Sequence, residues 1–255
     1  MLFPSLRRKI NGDKRSVEVG WMVQTPEAAF IWAGPRLLKR PDPSARHAKS
    51  AARCPAVIDH ESRLFEITCP FDLHLRYGVS DKDEPALFDA AGDQASINPS
   101  ILAQVVMLAP RSQWRHPDHP VLQVLTPYRC LSDEAVYLTQ MPPFLHYRDP
   151  SWPGLLVGGR FPIHIWPRKL NWGFEWHDTQ RDLILKRGEP WFYLRFEGPD
   201  ANRPIRMLEA ELTPDLAEYF AGIDGVVKYV NRTFSLFPVA QQRRPKKLLV
   251  PRRPF

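Results

Sequence analysis

The sequence predicts a mainly β protein of the α+β class: duplicated β-sandwich, jelly-roll or cupin-like lobes with a few short helices. Three observations predict it. Twenty-seven prolines stand against 13 glycines, about twice the usual proline share. Proline removes a backbone donor and fixes φ, which favours short strands with rigid connections over long helices. Eight tryptophans and 14 phenylalanines supply the bulky apolar mass of a β-rich core. Finally, the halves echo each other. Trp21 to Pro26 is matched by Leu122 to Pro127, Cys54-Pro55 by Trp152-Pro153, and Leu64 to Pro70 by Phe161 to Pro167, at offsets of 101, 98 and 97 residues. A repeated unit that leaves one sheet face bare packs against its copy.

The echo divides the chain into an irregular leader (1–16), a first β-rich repeat ending in a helix (17–115), a second ending in helices (116–240) and a basic, proline-rich tail (241–255). Val17 to Val23 and Ala29 to Trp32 read as strands around a turn at Thr25-Pro26-Glu27, and Pro35 to Pro55 as a long loop. Leu64 to Ile67 alternates, and so does Phe71 to Tyr77, with Phe71, Leu73, Leu75 and Tyr77 on one face. Asn98 suits a helix N-cap and Pro99 its first turn, and the apolar stripe from Ile101 ends at Pro110. Ser112 to Pro120 is the connector between halves. Val121 to Leu125, Ala135 to Gln140, Leu155 to Val157, Phe161 to Trp166 and Leu170 to Trp176 follow as strands, with Trp172, Phe174 and Trp176 sharing a face. Leu183 to Leu185 and Trp191 to Phe196 flank a charged turn containing Gly188, the pattern of a β-hairpin. Pro204 to Leu212 is one more strand. Thr213-Pro214-Asp215 caps a helix to about Ala221, and Asp224 to Phe234 reads as another.

Asn171-Trp172-Gly173-Phe174, followed by Gly188-Glu189-Pro190-Trp191, resembles a pattern in an uncharacterised family of bacterial and phage proteins. There, an Asn-Trp-x-Phe strand precedes a Gly-Glu-Pro-aromatic turn. The resemblance covers mainly residues 150–200. It implies a β-rich, cupin-like core and no particular activity.

The net charge is +7, and part of the excess is local. Arg243, Arg244, Lys246, Lys247, Arg252 and Arg253 crowd the last fifteen residues without one acidic group. Like charges repel and proline blocks helix, so the tail is expected as an extended arm, reaching an acidic protein or nucleic-acid surface. No run of eighteen apolar residues exists and the N-terminus has no apolar signal region, so neither a membrane span nor secretion is expected. Cys54, Cys69 and Cys130 form no C-x-x-C pair and are expected as buried thiols in a reducing compartment: the cytoplasm, or a virion for a phage protein.

One constellation points to chemistry. His116-x-Asp118 with a distant His177 has the composition of a two-histidine, one-carboxylate triad that leaves positions open on Fe(II). Arg187, ten positions beyond His177, is placed to hold a 2-oxoglutarate carboxylate. On spacing this resembles the iron- and 2-oxoglutarate-dependent dioxygenases, whose fold is a jelly roll. His164, between two isoleucines, is a second candidate ligand or base, with a hydrogen-bonded strand histidine as its plainer reading. Trp152, Trp166, Trp172, Trp176 and Trp191 suit either a stacking platform or a core. No phosphate-binding loop, nucleophile elbow or zinc-finger spacing is present. Together these features favour a non-enzymatic binding or assembly protein without a cofactor, such as a component of a phage or another multiprotein complex. The alternative is a jelly-roll or cupin-like oxygenase using His116, Asp118 and His177 with Fe(II) and 2-oxoglutarate.

Overall fold

Alternating apolar residues and closely spaced prolines give many short strands. The computed structural model describes residues 16–39, 47 and 49–252. Within them the strands are β1 (Val17–Val23), β2 (Arg36–Leu37), β3 (Leu64–Thr68), β4 (Leu73–Val79), β5 (Pro85–Asp89), β6 (Val106–Leu108) and β7 (Val121–Leu131). There follow β8 (Tyr137–Met141), β9 (Gly154–Leu156), β10 (Arg160–Pro162), β11 (Lys169–Trp176), β12 (Leu183–Leu185), β13 (Pro190–Glu197) and β14 (Ile205–Glu209). The helices are short: α1 (Pro55–Glu61), α2 (Pro99–Val105), α3 (Pro214–Ile223) and α4 (Phe237–Arg243). The fold is mainly β, its sheets curled into a half-barrel.

One sheet runs β14-β1-β7-β11-β9, with β6 also on β7; a second runs β10-β8-β13-β3-β2; a third runs β12-β4-β5. Strands from both halves of the chain lie side by side in each of them. Trp21 to Val23 of the first echo motif pairs with Tyr128 to Cys130, just past its counterpart in β7.

The inward faces follow the period-two pattern. Trp172 lies opposite Val124 and Phe174 opposite Leu122 in the first sheet; Phe192 faces Ile67 and Leu194 faces Phe65 in the second. All of these are buried in one core. Trp172 joins the two sheets, its ring 5.5 Å from that of Trp191 and stacked 5.2 Å from that of Phe174. Burying an aromatic side chain of this size contributes at most about 4–6 kcal/mol, so such residues dominate the apolar stabilisation.

A smaller core lies beyond the first sheet, where Leu216, Tyr219, Phe220 and Ile223 of α3 meet Leu131 and Trp166. Arg129, with 0% exposure, ties this helical part to the sheet. It donates through Nε to Gln24 Oε1 (2.6 Å), through Nη1 to the Pro167 carbonyl (2.7 Å) and through Nη2 to both Asp224 oxygens (2.6 and 2.5 Å). Its guanidinium also lies 4.2 Å from the Phe220 ring centroid.

Helix caps fall where the sequence places them. Asn98 Oδ1 accepts from Ser100 N–H, and Thr213 Oγ1 accepts from Leu216 N–H. Several expectations are corrected, among them that of Cys54 as a buried thiol: it is exposed, whereas Cys69 and Cys130 are buried. Pro26 to Ile31 forms a 3₁₀ turn rather than leading into a strand, because Pro26 starts a helical turn there. Leu183–Leu185 and Pro190–Glu197 do not pair as a hairpin: β12 joins β4, and β13 joins β3 and β8. The Gly188 turn, at φ +82°, bonds across to the β3–β4 corner instead, with Gly188 N–H donating to the Cys69 carbonyl and Cys69 N–H to that of Glu189. The run Phe161 to Trp166 stays extended only to Pro162, whose carbonyl then accepts from both Ile165 and Trp166 N–H. Asp224 to Phe234 is broken by Gly225 at φ +73° into 3₁₀ turns, and the last helix forms later, as α4.

The tail is not an extended arm. Leu248 and Leu249 are buried in the smaller core, Glu211 N–H donates to the Val250 carbonyl, and Arg252 N–H donates to that of Glu209. Apolar burial and these backbone bonds hold the segment against β14 despite its charge. Arg253 and residues 1–15 of the leader lie outside the described residues.

Candidate functional site

Among the described residues, a group of three ligand-type side chains forms where β11 ends. Trp172, Phe174 and Trp176 point inward, so Glu175 points outward, and His177 continues that outer face by two residues. The antiparallel register pairs Val121 with Glu175. Extended by two residues, it sets His119 opposite His177; Trp176 N–H donates to the Pro120 carbonyl (2.8 Å) and keeps the chains together there. His119 enters this position from a turn closed by its own N–H on the His116 carbonyl (3.1 Å), with Pro117 pre-setting the turn. On the other side, Gly154 of β9 passes so close that a Cβ would lie 2.0 Å from the Glu175 carbonyl oxygen.

His119, Glu175 and His177 each offer one ligand atom, all within 4.8 Å of one another. His177 Nε2 lies 3.7 Å from Glu175 Oε2, and His119 Nδ1 lies 4.0 Å from Oε1. The Glu175 side chain is 7% exposed, while those of His119 and His177 are 33% and 39% exposed. Arg115 Nη2 donates to Glu175 Oε2. Burial pushes the Glu175 carboxyl up; Arg115 and then His177 outweigh it, so its pKa lies below the ordinary glutamate value. The His119 ring is 4.9 Å from that of His177, and the His116 ring stacks on it at 4.3 Å.

Of the expected triad, the structure brings His177 into this group and leaves His116 and Asp118 at its edge. The Asp118 side chain is 85% exposed, and its carboxylate sits 4.0 Å from His116 Nδ1. Glu175 and His119, which the sequence reading did not single out with His177, are the residues that the structure brings beside it. The Glu175-x-His177 spacing on a strand with an aromatic opposite face was the available signal; the register that brings in His119 was not.

Arg187 is not beside these residues. It lines a cavity of about 630 Å³ with Trp32, Phe71 and Asp72, and its N–H donates to Asp72 Oδ1 (2.9 Å). His164 is buried in the turn after β10, its Nδ1 3.0 Å from the Val136 carbonyl. Trp172, Trp176 and Trp191 are fully buried core residues rather than a stacking platform.

A second surface lies between α3 and α4: a groove of about 540 Å³ lined by Trp166, Ile223, Leu236 and Val239. Arg243 lines it as well, and Asp215 and Glu218 of α3 stand on its wall. Beyond Arg243, Lys246 and Lys247 are exposed on the seated tail. Arg244 pairs with Asp133 (3.4 Å) and Arg252 with Glu209 (2.7 Å).

No family model matches this chain, and no curated protein matches it. Among the described residues, no helix is long and apolar enough to cross a membrane.

Proposed function

We propose that the protein is a non-enzymatic binding or assembly protein. Its groove between α3 and α4, continued by the basic tail, receives an acidic, apolar-faced segment of a partner protein. The single observation that supports this reading is the seated tail. Leu248 and Leu249 anchor it, so the exposed Lys246 and Lys247 follow closely on Arg243, the basic residue that lines the groove. A pre-ordered basic edge loses less conformational entropy on binding than a loose arm. Arg244 and Arg252 pair with carboxylates of the body, which leaves Arg243, Lys246 and Lys247, among the described residues of the tail, to face a partner. Membership of a cytoplasmic multiprotein complex, or of a phage particle, is the setting proposed.

The test is fluorescence anisotropy with a labelled synthetic amphipathic helix of glutamate and leucine. We expect binding that weakens with salt and falls about tenfold or more, some 1.4 kcal/mol, in V239D and in R243E/K246E/K247E. These side chains are exposed or line the groove, so both variants should fold. No binding, or binding indifferent to both variants, would overturn the reading. Tighter binding of single-stranded DNA with the same salt dependence would assign the basic edge to nucleic acid instead.

A further inference from the structure

We propose that His119, Glu175 and His177 form a binding site for a divalent first-row transition metal, with Zn²⁺ as its natural probe. The site goes beyond the partner-binding reading and uses none of the groove or tail residues.

Two imidazoles and one carboxylate select against Mg²⁺ and Ca²⁺, which take oxygen ligands, and suit zinc or its neighbours. Zinc held at about 2.0–2.2 Å by such atoms sets them roughly 3–3.5 Å apart. Here His177 Nε2 lies 3.7 Å from Glu175 Oε2 and His119 Nδ1 lies 4.0 Å from Oε1, and one ligand atom from each of the three residues lies within 4.8 Å of the others. Rotation of two partly exposed histidine rings closes the remaining gap. Glu175 needs no such movement, because its strand, the Gly154 backbone and burial hold it in place. Three protein ligands leave a fourth position to water, on the side where both rings meet solvent.

The ligands come from two segments far apart in sequence. His119 belongs to the connector between halves, while Glu175 and His177 belong to β11 and its end. A bound metal therefore clips the connector to the sheet. Arg115 competes for the same carboxylate, and its side chain is 65% exposed, so water can replace Glu175 as its partner.

Isothermal titration of the metal-free full chain with Zn²⁺, paired with metal analysis after dialysis, tests this. We expect one equivalent per chain, a zinc-dependent rise in Tm and slower amide exchange in the connector around residues 115–120. H119A, H177A and the near-isosteric E175Q should each weaken binding tenfold or more, whereas H164Q should bind as the parent does. Circular dichroism and the metal-free Tm establish that each variant folds. Failure to bind a stoichiometric equivalent would overturn the proposal. So would undiminished binding by folded E175Q and H119A. Neither result bears on the acidic peptide, so the two proposals fail separately.

Discussion

Replacing Arg129 with methionine tests how the helical part is fastened to the sheet. Methionine keeps most of the side-chain length but removes every donor and the guanidinium contact with the Phe220 ring. Three acceptors lose their partner: Gln24 Oε1, the Pro167 carbonyl and the Asp224 carboxylate. Removing one member of a buried ion pair costs about 3–5 kcal/mol. The Asp224 side chain is 43% exposed and recovers water, which places the loss near the lower end, at about 3 kcal/mol. D224N removes the negative charge but keeps one acceptor oxygen for Arg129, and should cost less, about 1–2 kcal/mol. Because the two residues touch, the double variant should lose less than the sum of the single losses. Urea unfolding followed by tryptophan fluorescence reads all three. A loss below about 1 kcal/mol for R129M would refute the reasoning, because the arginine would then be a passenger rather than a fastening.

Other consequences are equally open to measurement. Cys69 and Cys130 are buried and their pKa values are pushed up to about 12, whereas Cys54 is exposed and its pKa is lowered by backbone N–H groups of Val57 and Ala56. A thiol-disulfide reagent at neutral pH should therefore modify one thiol quickly and the other two only in denaturant; two fast native thiols would contradict this. Asp182 accepts from Arg76 (2.8 and 2.9 Å) and lies 2.7 Å from His74 Nε2, and these partners hold its pKa below the ordinary aspartate value. A depressed carboxylate stabilises the fold above its unfolded pKa and loses that contribution as pH falls through the folded one. D182N should therefore be less stable than the parent at pH 7, with the difference shrinking below about pH 4; a pH-independent difference would exclude the ion pair as its cause. R115M removes the competitor for Glu175 and should tighten zinc binding; unchanged or weaker binding would show that Arg115 does not compete.

Much of the fold was legible because its signals are local. The face shared by Trp172, Phe174 and Trp176, the caps at Asn98 and Thr213, and the excess of proline over glycine each act within a few residues. The failures came where pairing partners decide. Leu183–Leu185 and Pro190–Glu197 carry a hairpin pattern, yet Cys69 and Asp72 of the opposite corner capture the turn and send the two strands into different sheets. The tail reads as a repelling basic arm by charge alone, but Leu248 and Leu249 decide its position through burial. The histidine-carboxylate group was half visible for the same reason. His177 stood out in the sequence, while His119 joins it only through the register between β7 and β11.

If the outer surface carries function and the interior is structural, the eight tryptophans report it directly. Trp166 lines the groove between α3 and α4, whereas Trp172 and Trp191 sit at 0% exposure between the sheets. The decisive measurement is a titration of the ¹⁵N-labelled protein with the acidic amphipathic helix, following the indole N–H resonances. The Trp166 resonance should move and those of Trp172 and Trp191 should stay in place. Movement of the two interior resonances with Trp166 unchanged would contradict a surface-binding protein and place the binding event inside the half-barrel.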